Sequence, residues 1–318
     1  MNTHRIILGD CIAGMKTLPD RCVQTIITSP PYYGLRDYDG GDAEIGGEET
    51  PDEYVQKMVE VFREARRILR DDGTLWLNLG DSYATTSGGM EQLRKMGGAT
   101  PAYGKIKYAE GYKGVSQKGK AGAKRSRLKH KDLIGIPWRV ALALQADGWY
   151  LRQDIIWSKP NPMPESVTDR CTKCHEYIFL LTKSQKYFYD ATAISEPATY
   201  AGKMRGGSVN RYEQNSAGMD CKIYNTRNKR SVWTVPTKAY KGAHFATYPK
   251  DLILPCVLAG CPVDGTVFDP FTGSGTTAVA ALTNRRNFVG CELNPDYAKL
   301  AEARIAEEVP NTLEGALQ

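Results

Sequence analysis

The chain has 318 residues, 41% hydrophobic and 25% charged, which suits about two domains or one large α/β domain with insertions and excludes wholesale disorder, a collagen-like repeat and a disulfide miniprotein. Its formal net charge of +6 is unevenly spread: residues 84–131 hold twelve Lys or Arg against two acids, residues 190–242 nine against four, and everything else sums to −9. Two basic segments on an acidic body point to a polyanionic partner, although solvated loops carry such runs as well.

In chain order, residues 6–10 form a short strand ending at Gly9 and Asp10, and residues 11–18 fit a helix. Residues 23–28 are a second buried strand, cut off by Pro30 and Pro31, which continue neither a ladder nor a helix. Thr50 with Glu53 three residues on is a capping-box signature. Tyr54, Met58, Val61, Phe62, Ala65 and Leu69 follow at helical spacing, which predicts a helix to about Arg70, ended by Asp71, Asp72 and Gly73. Residues 74–79 are another strand. Residues 87–124 lose periodicity and fill with Gly, Lys and Tyr, as a basic insertion does. A helix over 136–146 and a strand over 150–157 follow, and residues 176–182 with 187–189 predict a hairpin. After a second irregular segment, 197–230, order returns at Val232. The chain then closes as helix, strand (266–269), helix, strand (287–292) and helix, a βαβ unit. Strands alternating with helices at this spacing predict a parallel α/β sheet.

No window approaches about 18 consecutive apolar residues, and the apolar run after Arg5 is too short for a signal peptide, so the expectation is a soluble, intracellular protein. Its eight cysteines are then reduced and mostly small core residues.

Two segments carry chemistry. Residues 267–278 read Val-Phe-Asp-Pro-Phe-Thr-Gly-Ser-Gly-Thr-Thr-Ala, with Gly273, Gly275 and Ala278 at the G-x-G-x-x-G/A spacing between a strand and a helix. Small residues let a ligand approach the backbone there, and Glu292, closing the next strand, is placed to hold ribose hydroxyls. A glycine turn that merely packs a helix on a sheet has the same spacing. The second segment is Thr28-Ser29-Pro30-Pro31-Tyr32, at the carboxyl end of a strand, where ligands of open α/β sheets bind. Two prolines fix the backbone, so the Pro30 carbonyl and the Ser29 hydroxyl are rigid acceptors beside the flat ring of Tyr32. Such a trio suits an aminated base; a proline-terminated strand with a loop tyrosine is the plainer explanation.

Together the Ser-Pro-Pro-Tyr and Asp-Pro-Phe-x-Gly-x-Gly segments resemble the S-adenosylmethionine-dependent DNA amino-methyltransferases, in the circularly permuted order of the β group. The resemblance covers nearly the whole chain. It implies one catalytic domain over 1–318 with a Rossmann-like, doubly wound, seven-stranded, mostly parallel sheet. Residues 84–131 become a basic insertion on the DNA backbone and 190–242 a target-recognition region. It also implies a base flipped into the pocket, stacked by Tyr32 and held through its amino group by Ser29 and Pro30, with Pro31 stiffening the turn and no covalent enzyme intermediate. Asp269, Phe271, Gly273 and Gly275 then surround the methionine moiety, Glu292 the ribose and Asp10 the adenine. His244 and Thr247 match another cofactor-side segment, although a histidine is also a common structural support. Lys118, Lys120, Lys124 and Arg125 are candidate phosphate contacts, and Arg205, Arg211, Arg227, Lys229 and Arg230 candidate contacts in the recognition region.

Other features carry less. Cys171, Cys174 and His175 spell C-x-x-C-H without a second cysteine pair at zinc spacing, so no metal is expected. Trp138, Trp149, Trp157 and Trp233 read as core or interface aromatics. Neither Pro-Cys neighbour replaces the Ser29 segment, which rules out a C5-cytosine enzyme. The resemblance also implies a target: adenine-specific members of such families more often place Asp or Asn where Ser29 heads the motif, which favours cytosine N4, with adenine N6 the runner-up and an RNA methyltransferase or an inactive binding relative behind. Duplex DNA is the expected partner and a prokaryotic or phage cytoplasm the expected setting; a homodimer and a cognate restriction endonuclease are left open.

Overall fold

The computed structural model describes residues 2–34, 45–84, 128–199, 225–237 and 248–309. In chain order these form β1 (His4–Leu8), α1 (Cys11–Lys16), β2 (Val23–Thr28), α2 (Pro51–Ile68), β3 (Leu69–Leu79), α3 (Ile136–Ala146), β4 (Tyr150–Ser158), β5 (His175–Thr182), β6 (Glu196–Pro197), β7 (Thr226–Arg227), β8 (Val232–Thr234), α4 (Lys250–Gly260), β9 (Thr266–Asp269), α5 (Thr276–Leu282), β10 (Asn287–Glu292) and α6 (Pro295–Glu308). The main sheet runs β1-β10-β9-β2-β3-β5-β4-β8, and β6 and β7 make a small separate ribbon. Every pairing in the main sheet is parallel except those of β5, which is antiparallel to both β3 and β4. The fold is therefore the expected α/β, mostly parallel sheet, with eight strands among the described residues because the short β8 extends the β4 edge.

Central strands show why the sheet has two covered faces. All six residues of β2 are buried, and alternation sends Ile26 to one core and Ile27 to the other. On the first face α1, α2 and α3 bring Met15, Tyr54, Met58, Phe62, Val140 and Leu144 together. On the second, α4, α5 and α6 contribute Leu252, Val257, Val279 and Ile305. Fully burying one Leu, Ile or Phe contributes about 1.5–3 kcal/mol, so each face anchors its helices. The start of α2 is fixed as its sequence predicts: Thr50 Oγ1 accepts from the Glu53 amide at 3.2 Å, Glu53 Oε2 accepts from the Thr50 amide at 3.0 Å, and Pro51 opens the helix.

Several details differ from the sequence reading. The first helix stops at Lys16 and α2 at Ile68, and β3 already begins at Leu69. Asp71, Asp72 and Gly73 are an irregularity in the β2–β3 register, between the pairs Val23–Leu69 and Thr25–Thr74, rather than a separate turn. Residues 187–189 form no hairpin with β5. The hairpin partner of β5 is β4, while the Phe188 amide donates to the Asp72 carbonyl and the Asp190 amide to the Ala259 carbonyl, in two different elements. Within the segment taken as irregular, Thr226 pairs with Pro197, and Arg227 with Glu196 just before it. Of the four tryptophans read as core or interface aromatics, Trp149, Trp157 and Trp233 are buried, and Trp138 is 39% exposed, packed edge-on against Tyr177 and Phe179. Cys171 and Cys174 are exposed, whereas Cys11, Cys256, Cys261 and Cys291 are buried. No helix among the described residues is long and apolar enough to cross a membrane.

Candidate active site

The strand order reverses between β2 and β9. The chain leaves β2 toward β3 on one side and β9 toward β10 on the other, so their carboxyl ends open a crevice where open α/β sheets bind ligands. The Ser29 segment follows β2 and the glycine turn follows β9. The Thr28 hydroxyl joins them, donating to Asp269 Oδ1 at 2.7 Å.

Asp269 is 1% exposed. Its carboxylate accepts from Thr28, from the Phe271 amide at 3.0 Å, from the Thr277 hydroxyl at 2.6 Å and from the Tyr248 hydroxyl at 3.2 Å. Burial raises its pKa in spite of these donors, which pull it down. A carboxylate enclosed by four protein donors organises the turn rather than facing a ligand. Gly275, at φ +77°, caps α5 in a left-handed conformation, and a Cβ there would stand 3.2 Å from Ala301 Cα. Its constraint is backbone geometry and packing on α6. The Arg304 guanidinium, from α6, donates to the Thr276 hydroxyl at 2.8 Å and ties down the same turn.

Toward the outer edge of the sheet, Glu292 ends β10 level with Leu8 of β1. One carboxylate oxygen accepts from the Gly273 amide at 2.7 Å and the other from the Asn294 amide at 2.9 Å. Burial raises its pKa, against the pull of those amides. The Gly9 amide donates to the Glu292 carbonyl at 2.8 Å. Asp10 caps α1, its Oδ1 accepting from the Ala13 amide at 2.8 Å. Asp10, Gly273 and Glu292 thus converge at the carboxyl ends of neighbouring strands, with half-buried Phe271 in the same turn.

On the β2 side, Pro30 is buried and Ser29, Pro31 and Tyr32 are half-buried. The Tyr54 hydroxyl donates to the Pro31 carbonyl at 2.8 Å, whereas no donor bonds the Pro30 carbonyl among the described residues. The Tyr32 hydroxyl lies 2.7 Å from Glu176 Oε2 and 3.1 Å from Asn78 Oδ1, and Ser29 Oγ donates to Tyr32 Oη at 3.4 Å. Burial and the Glu176 charge raise the Tyr32 pKa well above the phenol range. Gly80 makes room for the ring: a Cβ there would come within 2.5 Å of Tyr32 Cε2.

A family model described as DNA methylase matches residues 23–303. The chain belongs to the N6/N4 DNA methylase family. It is 44% identical to the Type II methyltransferase M.Cfr9I of Citrobacter freundii over 98% of this chain and 91% of that protein. With the Type II methyltransferase M.SmaI of Serratia marcescens it is 45% identical over 96% and 91%. Among solved structures, PvuII DNA methyltransferase (cytosine-N4-specific) superposes with a TM-score of 0.62 at 16% identity, covering 96% of this chain and 86% of that one. TTHA0409 of Thermus thermophilus, complexed with S-adenosyl-L-methionine, gives 0.59 at 22% identity over 97% and 96%. As a member of this family the chain is a DNA methylase that uses S-adenosylmethionine.

Of the residues singled out in this methylase's sequence, the structure brings together Ser29, Pro30, Pro31, Tyr32, Asp269, Phe271, Gly273, Gly275, Asp10 and Glu292 at one end of the sheet. His244, Thr247, Lys118, Lys120, Lys124, Arg125, Arg205 and Arg211 lie outside the described residues. Arg227, Lys229 and Arg230 gather around one carboxylate, Glu196, at 3.6, 3.8 and 3.1 Å. Three cations on one acid leave an excess of positive charge. The sequence reading missed Asn78, Lys159, Tyr248 and Thr277, and gave Glu176 no role. Polar Asn78 inside the apolar run of β3 and Glu176 at the head of an apolar strand are the signals that mark two of them. Among the described residues no three His, Cys, Asp or Glu side chains are grouped as a metal site requires.

Proposed function

We propose that the chain is a site-specific DNA methyltransferase acting on the exocyclic N4 amine of cytosine in duplex DNA. The observation that carries this reading is the hydrogen bond from Thr28 to Asp269, which sets the Ser29 acceptors beside the glycine turn at the strand-order reversal. S-adenosylmethionine supplies an activated methyl group when bound. The residues fit it: each Glu292 oxygen has one protein donor and retains capacity for ribose hydroxyls, and Asp10 keeps a carboxylate oxygen without a partner among the described residues. Phe271 and Gly273 line the methionine end, with Asp269 and Gly275 shaping the turn beneath.

A base reaches this site only by leaving the helical stack. Tyr32 then stacks on it, while the Ser29 hydroxyl and Pro30 carbonyl accept hydrogen bonds from its amino group. Those bonds turn the nitrogen lone pair out of conjugation and make it nucleophilic, so orientation and charge placement carry the catalysis. Serine at the head of the motif supports cytosine over adenine, as does the likeness in fold to a protein named as cytosine-N4-specific. Residues 84–131 serve as a phosphate clamp and 190–242 as the reader of sequence, and the Type II names of the relatives support a partner restriction endonuclease. Single-molecule sequencing of DNA from cells expressing the chain tests base and site together. N4-methylcytosine at one recurrent sequence is expected, and N6-methyladenine in its place would move the target to adenine.

A further inference from the structure

Tyr32 is held by a chain of polar side chains from three other segments. Glu176 Oε2 lies 2.7 Å from the phenol oxygen, and its other oxygen is ion-paired with the Lys159 ammonium. That ammonium also sits 4.2 Å from the centre of the Trp157 ring. Asn78, from β3, donates its amide to the Tyr177 carbonyl at 3.0 Å and to Glu176 Oε2 at 3.4 Å. The side chains of Lys159 and Glu176 are only 18% and 16% exposed. An ion pair this enclosed loses in desolvation much of what it gains in attraction, so stability is a poor explanation for it.

Proton accounting gives it a purpose. A phenol has one proton. Two acceptors face it, Glu176 Oε2 at 2.7 Å and Asn78 Oδ1 at 3.1 Å; the nearer, charged one takes it, since a charge-assisted O–H···O⁻ bond is about twice as strong as a neutral one. The Tyr32 oxygen then has only lone pairs for Ser29, whose hydroxyl proton points toward it at 3.4 Å. With its proton committed, Ser29 presents lone pairs to an incoming amine.

We infer that Glu176 is a positioning residue: held by Lys159, it fixes the ring of Tyr32 and polarises the Tyr32–Ser29 contact so that Ser29 acts as a hydrogen-bond acceptor. This rests on the reading of Ser29 and Tyr32 as the groups that hold the target base.

The test is a double-mutant cycle on the full chain, with tritiated S-adenosylmethionine and unmodified duplex DNA, each variant first shown by calorimetry to bind the cofactor. Glu176→Gln keeps the side chain's size but offers an amide in place of a charge. It should lower kcat about tenfold, the worth of exchanging a charged for a neutral hydrogen bond, with cofactor affinity unchanged. Added to Tyr32→Phe, which removes the oxygen through which Glu176 acts, it should cost less than a further factor of about two. Losses that multiply, or no loss from Glu176→Gln alone, overturn the role of Glu176. A Tyr32→Ala variant with full turnover would instead overturn the underlying reading of the base pocket, so the two failures are distinguishable.

Discussion

The Thr28 hydroxyl donates to Asp269 Oδ1 at 2.7 Å, joining residues 241 positions apart. That bond spans the two strands where the sheet order reverses, and both partners are buried. Thr28→Val keeps the shape and removes the donor, which should destabilise the chain by about 1.5–3 kcal/mol in urea unfolding, the range for a hydrogen bond to a charged group. Turnover should fall further than stability alone explains, because the Ser29 segment loses its tether to the glycine turn. Thr28→Ser restores the hydroxyl and should recover most of both.

Ser29→Ala and Tyr32→Ala should each reduce kcat by about a hundredfold or more, the scale of removing one preorganised polar contact. Calorimetry should find cofactor affinity little changed, since both side chains stand on the β2 side of the crevice and Glu292 on the other. A large loss of cofactor affinity would put these residues in the wrong subsite.

Burial lifts the Glu292 carboxyl above its ordinary value. Protonation removes acceptor capacity, so cofactor affinity is full above that raised pKa and weakens as pH falls through it. The stability sign is the reverse. The folded chain holds this proton more tightly than the unfolded one, so the group's contribution is full below the unfolded pKa and is lost as pH rises through the folded value. Glu292→Gln should flatten the acid limb of a calorimetric titration series; an unaltered limb would assign it to another group.

Deleting residues 87–124 should weaken binding to all DNA sequences and lower the salt slope by about 0.9 per lost phosphate contact. Lys118→Ala should show the same change on a smaller scale. Arg227→Ala should instead relax the preference for one site, and equal affinity and slope after the deletion would remove the clamp.

Most of the frame is legible because local rules and burial agree. The apolar run of β2 is hidden on both faces, the Thr50–Glu53 pair caps α2, and the turn after Asp269 needs Gly275 in a left-handed conformation. The misreadings come from distant partners. Phe188 looks like a strand residue but its amide bonds to Asp72, and that of Asp190 just beyond bonds to Ala259, contacts no local pattern encodes. Glu176 reaches Tyr32 across 144 positions, and Tyr248 reaches Asp269 across 21. The Ser29 and Asp269 segments are legible as motifs; the polar side chains that hold them are not, because each is one residue in an otherwise apolar or ordinary stretch.

Transfer of a deuterated methyl group is the most direct test. Purified protein is incubated with S-adenosylmethionine carrying a CD3 group and unmodified duplex DNA, and the DNA is digested to nucleosides for mass spectrometry. Labelled N4-methylcytosine is the predicted product, lost with Ser29→Ala. Label found only in N6-methyladenine would contradict the choice of base, and label in neither nucleoside would contradict the amino-methyltransferase assignment of this site.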